Sequence, residues 1–518
     1  MADSRLFRSF AGPLIAEACE RNEEQAPAYA RPPEQALAQM AATGCLNATF
    51  YATAGDHLNR VLGLTQTLST DFIARTAIYS RERGHMKDMP ALLVAVLAQR
   101  DVRLMERIFD RVIDSPRMLR TFVQILRSGV VGRKSFGSAP KRCVRRWLDQ
   151  RTGAAIFAAS VGEAPSLADI VKMVRPKPAN EEREALYGYL IGKQVPAGQL
   201  PDVVRHFEAF KAGQATDLPD VPFQMLTSQA LDTRAWQQIA RQGSWQMTRM
   251  NLNTFARHGV FADAEVTDMV ANRLRDPREI SKARVLPYQL MAAALMTGEE
   301  VPAYVRHALE DAMELAIANV PVIDGRVFIC PDVSGSMESP ITGRRKGATT
   351  KVRCVDVAAL ITAAFLRQNP AAVVLPFNWN VVSHRLSARE SVLANARELS
   401  ALCHGGTNVS APITGLNRGR TKGDLIVIVS DNQSWVDASE GGRGTKTMVE
   451  WNRFRSRNPQ AKLVLLDLQP HATTQAYERE DVLNVGGFSD QVFEVIARFA
   501  NHRLGPDHWV GEINAVAV

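Results

Sequence analysis

A chain of 518 residues, 46% hydrophobic and 22% charged, has the composition of an ordinary soluble globular protein and length for about two to four domains. No apolar run approaches the ~18 residues of a membrane span, the first residues lack the apolar core of a signal segment, and the six cysteines include no C-x-x-C pair. A membrane protein, a zinc knuckle and a redox dithiol are therefore not indicated; reduced thiols in the cytoplasm are expected, and a net charge of +8 points toward an anionic partner, although solubility explains much of such a balance.

In chain order, residues 1–34 are polar, are broken by Pro27, Pro32 and Pro33, and read as a loosely attached lead-in. From 35 to 320, one amphipathic helix signal follows another: Glu34 to Ala42, Asp71 to Arg83, Pro90 to Gln99, Leu104 to Ile113, Met118 to Arg127 and onward to Pro302 to Ala318. Apolar residues recur at spacings of three and four, as in Leu104, Ile108 and Val112. Short Gly, Pro, Asp and Ser breaks between so many helices favour stacked antiparallel pairs, a degenerate solenoid of the HEAT type.

One part of this array is strongly basic. Between Ser115 and Arg151 stand ten Arg or Lys residues against a single acid, Asp149. In a helix from Lys141 to Gln150, a 100-degree step puts Cys143, Val144, Trp147 and Leu148 on one side and Lys141, Arg142, Arg145 and Arg146 on the other. Upstream, Arg133 and Lys134 open a loop that contains Phe136; downstream, Lys172, Arg175 and Lys177 end a helix that begins near Ser166. Such charge is often only a solvated helix face. The near absence of acids favours the other reading, a surface that holds a phosphate backbone.

After Pro321, Asp324 and Gly325 come four runs rich in Val, Ile and Leu: Val327 to Cys330, Val373 to Leu375, Leu425 to Val429 and Leu463 to Leu466. Helix signals alternate with them, at Val355 to Arg367, Ser391 to Leu402 and Met448 to Arg457, with another at Gln491 to Phe499. This predicts a doubly wound α/β (Rossmann-like) domain over residues 321–518, with ligands beyond the carboxyl ends of its strands. There the first run ends in Asp332-Val333-Ser334-Gly335-Ser336. Residues two apart in an extended segment share a side, so Asp332, Ser334 and Ser336 can converge as a hard oxygen cluster suited to a magnesium-like divalent ion. The plainer alternative is a turn whose Asp and Ser bond backbone N–H groups. Asp431, directly after the Leu425 to Val429 run, and Thr407, in a Gly-Gly-Thr-Asn loop, add donors where one site is expected.

Asp332, Ser334, Ser336, Thr407 and Asp431 match position by position the metal-ion-dependent adhesion site of the von Willebrand factor A domain, which this segment resembles. Taken with the helical array, the chain resembles the Ro autoantigen family, which joins a TROVE domain to an A-like domain. The likeness is carried by Asn47 to Tyr51, the helix around Lys141 and Arg142, Ser166 to Pro178, Ser281 to Tyr288, Gly405-Gly406-Thr407 and Ser430-Asp431-Asn432. The resemblance implies a HEAT-like helical ring closed by the A-like domain, and a bound divalent metal, Mg. It implies a small noncoding Y RNA on the basic outer surface and single-stranded 3′ ends of misfolded or immature RNA in the ring hole. It further implies work beside a 3′-to-5′ exoribonuclease, as a monomer within a ribonucleoprotein. Lys141, Arg142, Lys172 and Arg175 are the foremost RNA contacts so implied. Arg145, Arg146 and Lys177 are their neighbours. Two segments depart from vertebrate relatives by added length: Ile341 to Thr350, and Ala438 to Lys446 after Asp431. The preference for Arg over Lys and the Ala-rich helices suit a GC-rich bacterial genome.

Two rivals stand beside this reading. A magnesium-dependent phosphatase of the haloacid-dehalogenase class wants a second carboxylate two residues after the first, where this chain has Ser334, a poor acid-base group at neutral pH; no catalytic activity is expected. The other rival is a protein-adhesion or chaperone-associated module gripping a partner's acidic residue through the metal.

Overall fold

The computed structural model describes residues 15–44, 46–283, 287–317, 320–344, 350–435, 444–469, 471–504 and 507–518. Its helical series begins with α1 (Pro33–Thr43), α2 (Ala54–Thr67), α3 (Thr70–Glu82), α4 (Asp88–Arg100), α5 (Val102–Val112), α6 (Pro116–Ser128), α7 (Ser138–Asp149), α8 (Gly153–Ala158) and α9 (Leu167–Val174). It continues through α10 (Glu181–Leu190), α11 (Asp202–Lys211), α12 (Thr233–Gln242), α13 (Trp245–Met250), α14 (Leu252–Arg257), α15 (Ala264–Leu274), α16 (Pro277–Ala283), α17 (Pro287–Met296) and α18 (Ala303–Ala316).

Local chemistry sets these boundaries. The Asp101 carboxylate accepts the Leu104 N–H at the start of α5. Ser115 caps α6 ahead of Pro116, and Gly129, at φ 82°, ends it in a left-handed turn. Along α5, Leu104, Met105, Ile108, Phe109 and Val112 are buried as one stripe, each contributing about 1.5–3 kcal/mol of transfer free energy. Helix α4 is apolar nearly all round, with Met89 to Ala98 buried, because α3, α5 and α6 enclose it.

The C-terminal domain is a parallel sheet in the order β4-β3-β5-β6-β8, formed by β3 (Val327–Pro331), β4 (Val373–Val374), β5 (Leu425–Ser430), β6 (Lys462–Asp467) and β8 (Val482–Gly486). Every residue of β3, β5, β6 and β8 is buried, as strands covered on both faces require. Around the sheet lie α19 (Cys354–Gln368), α20 (Val392–Ser400), α21 (Ala411–Arg418), α22 (Lys446–Arg457), α23 (Asp490–Ala500) and α24 (His508–Asn514). Strand β8 escapes the sequence pattern because Asn484 interrupts its apolar run; the structure satisfies that amide with Thr474, Ala476 and Glu478.

The helical series starts and ends on this domain, closing a ring. Helix α1 packs on β8, and α24 packs on α1 and α3, where the Trp509 indole N–H donates to Tyr79 Oη at 3.1 Å. At the far end α17 and α18 meet α19 and α20, and Glu314 of α18 accepts the Val392 N–H at 2.8 Å.

The lead-in is not loose over its described part. Strands β1 (Glu20–Arg21) and β2 (Pro27–Ala30) form a hairpin, and β2 pairs antiparallel with β7 (Thr473–Thr474) of the C-terminal domain. Arg31 then buries its guanidinium against Asp467 at the end of β6. Proline excludes helix here but not an edge strand, and the pairing strand lies more than 400 residues away, beyond any local pattern.

Candidate metal centre and basic surface

Asp332 leaves β3 with its N–H still donating to Val429 O at 2.9 Å, so the sheet fixes its position. Ser334 remains extended (φ −77°, ψ 166°), and one 3-10 turn, Gly335–Glu338, brings Ser336 back to the same side. The loop carrying Thr407 is laced to this segment: His404 N–H to Val333 O and Gly335 N–H to Gly405 O, both 2.8 Å. Thr407 Oγ1 then donates to Ser334 Oγ at 2.8 Å, and the Ser334 and Ser336 hydroxyl oxygens lie 3.3 Å apart. Asp431 follows β5 and accepts the Gln433 N–H at 3.3 Å. All five side chains are buried.

Part of the turn alternative is realised: Asp332 Oδ1 accepts the Ser334 N–H at 2.8 Å, while Oδ2 accepts the Ser430 hydroxyl at 2.5 Å. The two motif serine hydroxyls lie against each other and Thr407, and they also support the carboxyls, Ser334 that of Asp332 and Ser336 that of Asp431. Burial pushes the Asp332 carboxyl up to about 6 against the help of the Ser334 and Ser430 hydroxyls. Burial and then the charge of Asp332 push Asp431 up to about 7. Two carboxylates that resist ionising together, lined by neutral hydroxyls, form a dry oxygen site short of positive charge. A hard divalent ion fits that donor set, keeping waters because few donors are anionic. Among the described residues no group of three or more His, Cys, Asp or Glu forms an alternative cage.

Beside Thr407, Trp379 and Trp435 meet edge to face at 4.3 Å, and they are 39% and 44% exposed. A Cβ on Gly406 would lie 2.9 Å from the Trp379 ring and closer still to Trp435, so the glycine lets both indoles close on the loop. The sequence reading missed these tryptophans; their place just beyond strand ends was the available signal. Of the two lengthened segments, 345–349 and 436–443 lie outside the described residues. Residues 341–344 turn back so that the Arg344 N–H donates to Ala48 O at 2.6 Å.

The basic surface is less free than its sequence implies. Cys143, Val144, Trp147 and Leu148 are buried on α7, as the helix geometry predicts. But Arg142 pairs with Glu106 at 2.6 Å and Arg146 with Asp110 at 2.7 Å, both acids of α5, the preceding layer. An internally neutralised face, disfavoured when only residues 115–151 are counted, is thus half true. Arg145 Nε donates to Val174 O at 2.6 Å, joining α7 to the end of α9. Arg133 is a staple, donating to Ala98 O at 2.7 Å, and Phe136 is packed in the core against Phe122 rather than offered for stacking.

Lys134, Lys172, Arg175 and Lys177 are exposed and Lys141 half-buried, and none of their charged groups makes an ion pair among the described residues. The Ser166–Asp169 capping box starts α9, and Arg175, at φ 48°, ends it. Lys172 and Arg175 border a cavity of about 780 Å³ between α9 and α10. The structure therefore brings α7 and α9 into one surface through Arg145, with the unpaired charge concentrated on α9 and just after it.

Fold and site together define a helical ring closed by a von Willebrand A-type domain. Residues 326–500 match the Ro60 vWA domain. The RNA-binding protein RO60 of Deinococcus radiodurans is 24% identical over 358 residues, 65% of this chain and 66% of that protein. The protein of the same name from Caenorhabditis elegans is 20% identical over 253 residues, 47% of this chain and 38% of that one. The aligned region thus spans just under two thirds of the first relative's length and well under half of the second's. The crystal structure of the Deinococcus radiodurans RO (RSR) protein shares the fold, with a TM-score of 0.63 at 20% identity, covering 91% of this chain and 100% of that one. These likenesses support a Ro family member, the family model through the A-type domain alone and the crystal structure through the fold. No helix among the described residues is long and apolar enough to cross a membrane.

Proposed function

We propose that this chain binds RNA: a small structured noncoding RNA of the Y type on the outer surface formed by α7 and α9, and single-stranded 3′ ends in the ring hole. It acts by binding rather than catalysis, serving RNA maturation, quality control or stress survival beside a 3′-to-5′ exoribonuclease in the cytoplasm. A magnesium ion held through Asp332, Ser334, Ser336, Thr407 and Asp431 serves as a docking point. The observation that carries the RNA reading is the set of exposed, unpaired cations Lys172, Arg175 and Lys177 beside Lys141. Unpaired cations are free to displace counterions from a phosphate backbone, whereas Arg142 and Arg146 must first give up Glu106 and Asp110.

Reversing Lys172, Arg175 and Lys177 to Glu is expected to weaken binding of a structured small RNA on the order of 100-fold near 0.1 M salt. Fluorescence anisotropy measures it, with circular dichroism to show an intact fold; unchanged affinity would overturn the reading.

The exposed pair Trp379 and Trp435 beside the metal centre favours one second reading, in which that centre grips an acidic residue of a protein partner. Under it, Trp379→Ala would abolish partner capture and leave RNA affinity intact.

A further inference from the structure

The cavity bordered by Lys172 and Arg175 encloses about 780 Å³ between α9 and α10, within the roughly 300–1,000 Å³ of small-ligand sites. Two helix ends shape it. Helix α9 stops where Arg175 takes φ 48°, its N–H donating to Val171 O at 2.8 Å, and Pro176 and Pro178 stiffen the exit. Helix α10 stops where Gly192 takes φ 86° and the Lys193 N–H donates back to Gly188 O at 2.9 Å, so that Lys193 borders the cavity too. Glycine inside a helix is costly, yet Gly188 has a steric reason. A Cβ there would lie 3.1 Å from Cγ2 of Val195, another residue of the cavity wall.

The lining divides by chemistry. Val171 and Tyr187 are buried and contribute apolar wall, whereas Lys172, Arg175, Lys193, Glu181 and Glu184 are exposed. Although both signs of charge border one cavity, none of these five groups forms an ion pair among the described residues. Their charge is left for a ligand that presents an anion, hydrogen-bond donors and a flat apolar body together. A nucleotide has all three. A carboxylate only accepts hydrogen bonds, so Glu181 and Glu184 select a base edge made of donors. Guanine alone carries two donors side by side on its pairing edge, matching the two oxygens of a carboxylate.

In paired RNA that edge is already used, and proteins read sequence chiefly on unpaired bases that can be turned outward. We infer that the cavity between α9 and α10 takes one unpaired guanosine nucleotide of the bound RNA, its base against the apolar wall, its phosphate on Lys172, Arg175 and Lys193, and its pairing edge on Glu181 or Glu184. The inference rests on the RNA reading above. It adds base selection to a surface whose phosphate contacts are blind to sequence.

Fluorescence anisotropy of the full chain with three hairpins of one stem tests it: one fully paired, one with a single unpaired guanosine, one with an unpaired uridine at the same place. The wild type is expected to prefer the unpaired guanosine to both others about tenfold. Gly188→Leu, which fills the cavity, should bind all three as the wild type binds the paired hairpin. Lys193→Ala, an exposed change that leaves the wall intact, should lower the preference, and Glu181→Gln with Glu184→Gln should erase guanosine over uridine. Equal wild-type affinity for the three hairpins, falling with salt, would overturn this inference and leave the RNA reading standing. A guanosine preference undiminished in the folded variants would overturn it as well. Absence of affinity for any hairpin would overturn the RNA reading and the inference together.

Discussion

Replacing Ser334 and Ser336 together by Ala abolishes magnesium binding while the chain stays folded: this is the expected result at the metal centre. The two hydroxyls make no hydrogen bond to the backbone that holds β3 or the Thr407 loop in place. That lacing is backbone to backbone, through His404 to Val333 and Gly335 to Gly405, and survives the change. The substitution leaves a buried Thr407 hydroxyl without its acceptor and takes one hydroxyl from each of the buried Asp332 and Asp431 carboxyls, about 1–3 kcal/mol for each lost contact, while the backbone lacing that holds the loops together is untouched. The ion loses two of its neutral oxygen donors, and Asp332, with both oxygens engaged, cannot replace them. Metal analysis of purified protein, with thermal melting alongside, measures both halves. Stoichiometric magnesium in the folded double variant would contradict the assignment.

Arg31→Met should be the most destabilising change in the lead-in, costing about 3–5 kcal/mol at neutral pH, because it strands a buried carboxylate. The Arg31 and Asp467 side chains are 0% and 1% exposed, and Asp467 stands at the end of a fully buried strand. Burial outweighs the attraction of Arg31 and already pushes the Asp467 carboxyl up to about 6. The sign follows from that direction. A carboxyl raised above its unfolded value of about 3.9 favours the folded state at low pH and loses that contribution as pH rises through its folded value. Without Arg31 the folded value rises further, so the variant loses more than the wild type between pH 5 and pH 8. Urea unfolding should therefore give a smaller difference at pH 5 than at pH 8, and Arg31→Met with Asp467→Leu should recover most of the loss. A pH-independent difference would show that packing, not charge, is what Arg31 supplies.

The sequence was most readable where one physical pattern acts alone. Helices α1 and α3 to α6 and strands β3, β5 and β6 followed from apolar spacing, and their observed ends differ from expectation by a residue or two because caps such as Asp101 and Ser115 set them. That Asp332, Ser334, Ser336, Thr407 and Asp431 converge could be foreseen because strand ends in such a sheet meet at one edge; whether they hold a metal is the proposal tested above. Features built from distant segments were not readable. Glu106 and Asp110, which neutralise Arg142 and Arg146, come from another helix layer; Arg31 meets Asp467 across most of the chain; Tyr51 meets Ser336 from outside that serine's domain. In each case local composition gave the residue and tertiary structure gave its partner.

That distinction bears on the central claim, that unpaired cations of α9 and its end, rather than the most basic stretch of sequence, hold RNA. The direct measurement is the salt dependence of affinity for a structured small RNA, compared among the wild type, Lys172→Ala and Arg146→Ala. The wild type should lose affinity linearly in log salt, Lys172→Ala should flatten the slope by about one counterion, and Arg146→Ala, whose charge is already spent on Asp110, should leave it unchanged. A slope unaltered by Lys172→Ala, or flattened only by Arg146→Ala, would contradict it.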